Sequence, residues 1–274
     1  MFAEQYDRDE DGLIHFPNDV KFRAQHFVGW KEAGLEADHP AKANLYLTEE
    51  LVKYTTKPGD RIMDITAGSG SILIALNHER DVTAFDIAPH FIKWMKLSYE
   101  KIHVNNVDWF ELANGSKIQP RTAMILEGDC TAFLPMPADS IIFSPPYAGA
   151  MHSGGGILDR DEQIGASIRQ YAHDPRNLGL LNDFIYSRKM YEIYQKCFDS
   201  LPSGGKLSLI IKDRISQGVR IELGLKAMQA LHTAGFQLFE WVKWKPPGSM
   251  FTSIHRSHGT KVIEDEHIII VEKP

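Results

Sequence analysis

Two short runs carry the residue types that chemistry needs. The first is Asp64-Ile65-Thr66-Ala67-Gly68-Ser69-Gly70-Ser71, which follows an apolar run and opens a helical one. Glycines let a backbone turn tightly and approach a ligand, and the helix beyond aims free N–H groups into the same crevice. The second is Phe143-Ser144-Pro145-Pro146-Tyr147, at the end of another apolar run. An amino group conjugated to an aromatic base is a poor nucleophile. Its lone pair becomes available when acceptors hold its hydrogens out of the ring plane. The Ser144 hydroxyl and the Pro145 carbonyl are such acceptors, and the Pro145-Pro146 pair fixes their geometry in advance. Tyr147 offers a ring on which an extruded base can stack. The plain alternatives are a strand–helix turn and a stiffened strand end.

Three nucleotide-binding readings compete for the glycine run. A phosphate loop needs Gly-Lys-Ser/Thr, yet Gly70 is followed by Ser71 and Ile72. A dinucleotide turn wants a third glycine, where Leu73 stands. The reading left is an S-adenosylmethionine site. It asks for an acid at the end of the second strand to accept from ribose hydroxyls, and Asp86 stands there in Ala84-Phe85-Asp86-Ile87. It also asks for a polar residue after the third strand, near the adenine, which Glu127-Gly128-Asp129-Cys130 supplies. All these positions fall at carboxyl ends of strands, where open α/β sheets bind ligands.

The elements that must hold these residues are legible as apolar runs. Seven strands are expected at 61–66, 82–86, 123–127, 140–143, 206–211, 237–244 and 267–271. Helical spacing falls at 45–54, 72–77, 88–104, 182–201 and 221–233. Strands alternating with helices imply an α/β fold with a doubly wound, mostly parallel sheet. The last two strands have too little chain between them for a helical crossover, so the last strand is expected to run antiparallel. Residues 1–38 read as an N-terminal extension and 39–274 as a single domain. Residues 148–181, rich in glycine and charge, read as an inserted loop, a lid or a recognition segment carrying Arg160, Arg169 and Arg176.

Taken together, these motifs resemble the amino-methylating DNA methyltransferases of the N4-cytosine/N6-adenine group, from about His39 to Lys273. The resemblance implies a seven-stranded sheet of the S-adenosylmethionine-dependent methyltransferase type. It places the family's glycine motif at Asp64–Ser71 (including Ala67, Gly68, Ser69 and Gly70) and its ribose acid at Asp86, followed by Ile87. Its third motif falls at Glu127–Asp129 and its catalytic tetrapeptide at Ser144–Tyr147. A further motif, which helps hold the methionine part of the cofactor, falls at His39–Asn44, with Lys42 and Asn44 as its polar members. Serine at the head of the tetrapeptide goes more often with N4 of cytosine than with N6 of adenine. The expected activity is therefore site-specific DNA methylation, with or without a companion restriction enzyme. RNA, a protein amide and a non-catalytic scaffold are the alternatives. The family's usual separate recognition domain has little room here; 148–181 and 244–262 are the substitutes.

Composition limits the partners. The 274 residues are 43% hydrophobic and 24% charged, enough for a sizeable core, and the net charge of −6 excludes a fold-wide basic field. Nucleic acid must then meet a local patch. Lys243 and Lys245 lie among Trp241, Trp244 and Pro246-Pro247-Gly248, and His255, Arg256, His258 and Lys261 follow. A DNA partner, a possible homodimer and a cytoplasmic location are expected, with no membrane span and no metal. Asp7–Gly12 imitates the start of a calcium loop, but the twelfth position is Asn18, not glutamate. Cys130 and Cys197 cannot make a disulfide framework.

Overall fold

The computed structural model describes residues 1–35, 42–113, 121–146, 174–216, 218–247 and 262–274. In chain order its helices are α1 (Val20–His26), α2 (Leu45–Thr55), α3 (Pro89–Ala113), α4 (Cys130–Phe133), α5 (Asp183–Ser200) and α6 (Leu223–Thr233). The strands are β1 (Arg61–Asp64), β2 (Asp81–Asp86), β3 (Ala123–Glu127), β4 (Ser140–Phe143), β5 (Lys206–Ile211), β6 (Arg214–Ser216), β7 (Val219–Ile221), β8 (Gln237–Trp244) and β9 (Glu266–Glu272). Seven of them form one sheet in the order β3-β2-β1-β4-β5-β9-β8. Neighbours from β3 to β5 pair in parallel, and β9 runs antiparallel to both β5 and β8. The doubly wound sheet with an antiparallel last strand is thus the observed architecture. Order reverses between β1 and β4, so the crevice that a switch point creates opens above those two strands.

Side-chain alternation divides each strand between two cores. Ile62, Ala84, Ile142, Ile210, Ile268 and Ile270 face one core, with α2 and the turn after β1. Met63, Phe85, Ile141, Phe143, Leu209 and Ile269 face the other, with α5 and α6. Each fully buried aliphatic contributes about 1.5–3 kcal/mol, so the continuous apolar runs in sequence are what two covered faces require.

The structure departs from the sequence expectation in four places. β1 ends at Asp64, and Ile65 and Thr66 already belong to the turn. The helix after the glycine run is a 3-10 helix over Ser71–His78, with Gly70 in the left-handed region at its start. A small antiparallel hairpin, β6–β7, stands beyond β5. Finally, the N-terminal stretch packs into the main core: Phe2, Ile14, Phe16 and Phe27 are buried in it. Ile14 exchanges backbone hydrogen bonds with Lys243 and Lys245, covering part of the free edge of β8. The Glu240 carboxylate accepts from the Phe2 backbone N–H at 3.1 Å and from the Tyr54 hydroxyl at 2.6 Å. Among the described residues, no helix is long and apolar enough to cross a membrane.

Candidate active site

The glycine turn sits at the end of β1 and is held from β2. Asp86 is 7% exposed. Its Oδ2 accepts from Gly68 N at 2.8 Å and its Oδ1 from Ala88 N at 2.9 Å. Ala67 N donates to Phe85 O, and Gly70 N to Ala67 O, each at 2.8 Å. Gly70 has φ +81°, and an added Cβ would lie 2.6 Å from Met95 Cγ. Gly70→Ala is therefore expected to destabilise the fold by about 2–3 kcal/mol, part conformational and part steric. Denaturant unfolding checks this, and pairing it with Met95→Ala should recover only the steric share.

The hydrogen bonds of Asp86 leave part of its acceptor capacity to be accounted for. A carboxylate offers about four lone-pair directions, and backbone N–H groups use one on each oxygen. The Ile87 N–H adds a third backbone contact, and the capacity left over is that of an acceptor. Burial is the chief cause that raises its carboxyl to about 6, against the lowering effect of the Ala88 and Gly68 N–H groups. Asp64, at the end of β1, accepts from Thr66 N at 3.0 Å. Burial pushes its carboxyl up to about 7, opposed by that bond and aided by Asp86.

A raised carboxyl favours the fold while protonated. The stabilisation from Asp64 is complete below its unfolded value of about 4 and is lost as pH rises through about 7. Asp64→Asn should thus raise Tm by about 3–6 °C at about pH 8 and leave it unchanged near pH 4. Thermal unfolding across pH tests that sign.

The Ser144-Pro145-Pro146 run leaves β4 beside this turn. Thr66 Oγ1 donates to the Ser144 backbone carbonyl at 3.0 Å, tying the two motifs directly. Pro145 is buried, whereas Ser144 and Pro146 are partly exposed. Tyr147 lies outside the described residues. Ser69 is buried in the turn, and Ile87 is partly exposed next to Asp86. Arg176 Nη2 comes within 3.5 Å of the Ile87 carbonyl, so the chain leaving the inserted loop returns to this end of the crevice. Arg160 and Arg169 lie outside the described residues.

Other candidate residues have definite local duties. Asp129 caps α4, its Oδ1 accepting from Thr131 N and Thr131 Oγ1 at 2.8 Å each. The Asn44 side chain is engaged at both ends: Oδ1 caps α2 at Tyr46 N and Leu47 N, and Nδ2 donates to Pro17 O. It positions the Lys42–Asn44 segment. Its acceptor oxygen and one of its N–H groups are thus engaged within the protein. Cys130 is buried, and its thiol is pushed up to about 12 by burial, so it stays protonated at neutral pH.

The basic patch is reduced by local pairing. Lys243 Nζ lies 2.7 Å from the Asp265 carboxylate. Lys245 follows β8, its backbone N–H donating to Ile14 O. His255, Arg256 and Lys261, with His258, lie outside the described residues. A buried cluster stands nearby, where β5 and β9 meet. Trp241 Nε1 donates to His267 Nδ1 at 3.0 Å, which places the ring proton on Nε2, 3.3 Å from Asp213 Oδ2. Asp213 also accepts from Arg220 Nε at 2.8 Å and Gly224 N at 3.1 Å. Nδ1 of His267 is held by Trp241, Nε2 has the Asp213 carboxylate at ion-pair distance without a formed hydrogen bond, and Asp213 with Arg220 anchors the β6–β7 hairpin. In the calcium-like turn, Asp9 Oδ1 accepts from Asp11 N and Leu13 N, closing the loop on itself. Among the described residues, no group of three or more His, Cys, Asp or Glu side chains could hold a metal ion.

Two participants escaped sequence reasoning: Thr66, which bridges the motifs, and Arg23, whose side chain reaches Ser71 beside the glycine turn. Neither carries a sequence signal, because each acts on a distant segment.

No family model and no curated protein sequence matches the chain. Solved structures do. A methyltransferase from Pyrococcus furiosus superposes with a TM-score of 0.52 at 15% identity, covering 93% of this chain and 94% of its own. TrmN from Thermus thermophilus gives 0.51 at 16% identity over 87% of this chain, which spans 52% of that protein's length. An S-adenosylmethionine-dependent methyltransferase from Methanosarcina mazei gives 0.50 at 11% identity, covering 81% and 96% of the two chains. With its strand order and antiparallel last strand, the chain has the Rossmann-like fold of these methyltransferases.

Proposed function

We propose that the protein is an S-adenosylmethionine-dependent methyltransferase acting on the exocyclic amino group of a base in DNA, with N4 of cytosine favoured. The observation that carries this reading is the Thr66–Ser144 hydrogen bond. It places the glycine turn and the Ser-Pro-Pro run in one crevice, above the β1–β4 switch point. Solved structures of the same fold include methyltransferases, and that supports the cofactor class.

When bound, S-adenosylmethionine supplies an electrophilic methyl on a sulfonium. The protein's own groups do the rest. Asp86 accepts from the ribose diol, and the backbone of Gly68–Gly70 lets the ligand come close. Extrusion of the target base costs a few kcal/mol. The Ser144 hydroxyl and Pro145 carbonyl accept the two amino hydrogens and turn the nitrogen lone pair toward the methyl. The amino nitrogen would gain that methyl as the sulfur left as a neutral thioether, and its surplus proton would pass by way of the Ser144 hydroxyl to solvent. No covalent link to the protein is needed, so positioning and fixed dipoles supply the catalysis.

The test is transfer of labelled methyl to mixed genomic DNA, followed by mass spectrometry of the nucleosides. N4-methylcytosine is the expected product. N6-methyladenine would keep the mechanism and change the base. Labelled RNA or protein with unlabelled DNA would overturn the DNA assignment.

A further inference from the structure

The sulfonium of the proposed cofactor carries three arms. On the reading above, the ribose arm goes to Asp86 over β2 and the methyl faces Ser144 beyond β4. The resemblance read in the sequence would bring the third arm, a zwitterionic aminobutyrate, to the segment ending at Asn44, which the structure packs against Ser71 at the start of the Ser71–His78 helix. The wall there is not made by the sheet. Arg23, from α1, donates through Nη2 to Ala43 O at 2.6 Å and to Ser71 Oγ at 3.3 Å. Its Nη1 also lies 3.3 Å from Ser71 Oγ. Ser71 Oγ donates in turn to Ala43 O at 3.1 Å. The Asp19 carboxylate completes the stitch, accepting from Arg23 Nη2 at 2.9 Å and from Leu45 N at 3.0 Å. The Arg23 side chain is 13% exposed, and its buried Nε–H has no partner among the described residues. One guanidinium therefore locks three separate segments, 19–23, 43–45 and Ser71, into one rigid corner.

We propose that Arg23 is a positioning residue for the amino-acid end of the cofactor. It fixes the Ala43 carbonyl against Ser71 and so sets the wall that this arm meets. This rests on the cofactor reading and adds that the N-terminal stretch is part of the binding site. A merely structural role would weaken binding of every ligand in the crevice alike. The proposal predicts selectivity for the arm.

The experiment compares calorimetric affinities for S-adenosylhomocysteine, which has the aminobutyrate arm, and 5′-methylthioadenosine, which lacks it. Arg23→Ala is expected to weaken the first at least tenfold and the second less than twofold. Arg23→Lys keeps the charge but cannot bridge all the acceptors, and should show the same selectivity at smaller size. It carries the test if the alanine variant fails to fold. Equal weakening of both ligands, or no change in either, would overturn the positioning role alone. A wild-type protein that binds neither ligand would overturn the cofactor reading itself.

Discussion

Asp86→Ala is expected to lower S-adenosylmethionine affinity by about 100-fold or more. Two hydrogen bonds from a diol to a charged acceptor are worth about 3–6 kcal/mol together, and each 1.4 kcal/mol is tenfold. The loss compounds, because the same carboxylate holds Gly68 N and Ala88 N in place. Asp86→Asn should be nearly as damaging. An amide offers one acceptor atom where the carboxylate offers two, and its NH2 would face a backbone N–H. The wild-type protein should show the same dependence through pH. Because burial raises the Asp86 carboxyl to about 6, affinity should be flat above neutrality and decline as pH falls through that value. Titration calorimetry over a pH series reads both effects. An Asp86→Ala protein that binds within a few-fold of wild type would remove the diol contact from the site.

Ser144→Ala is expected to lower kcat by about 10²–10³-fold while cofactor affinity stays within twofold. The substitution is clean for a structural reason. The Ser144 backbone carbonyl is fixed by Thr66 and Pro145 follows it in a buried position, so the hydroxyl can be removed without moving the chain. An acceptor aimed at the amino hydrogens matters most as the lone pair is committed, and hence appears in turnover. Single-turnover methyl transfer measures it. Near wild-type turnover would mean that Ser144 is not an acceptor in the reaction.

What could be seen in the sequence follows from burial on two faces. Runs such as Ile141–Phe143 and Leu209–Ile211 are apolar throughout because each strand feeds both cores. The ends of the second and fourth runs put Asp86 and Ser144 at the carboxyl edge of the sheet. The antiparallel last strand was expected from its connection, yet residues 245–265 are long enough for a crossover, so the expectation held without that argument. The hairpin β6–β7 was hidden because its three-residue strands have no apolar rhythm; a buried carboxylate, Asp213, holds it instead. Helix α1 was hidden because it buries no residue and presents no stripe. The Arg23 contacts were illegible for a deeper reason: residues 19, 23, 43 and 71 have no spacing in common and meet only in the folded chain. Asn44 has a structural duty that its motif did not suggest. A polar residue in a ligand-like motif is using its amide to cap a helix.

The buried Phe2 has a consequence for how the protein is made. Its backbone N–H waits for the Glu240 carboxylate, 238 positions later. On a ribosome, that partner emerges only after the intervening residues have been made. Until then the rings of Phe2 and Phe16 have no Trp244 side to close against, and Ile14 has no β8 edge to join. The nascent chain must therefore carry an apolar strap unsecured until β8 has been made, and seating that strap is a long-range step that follows it.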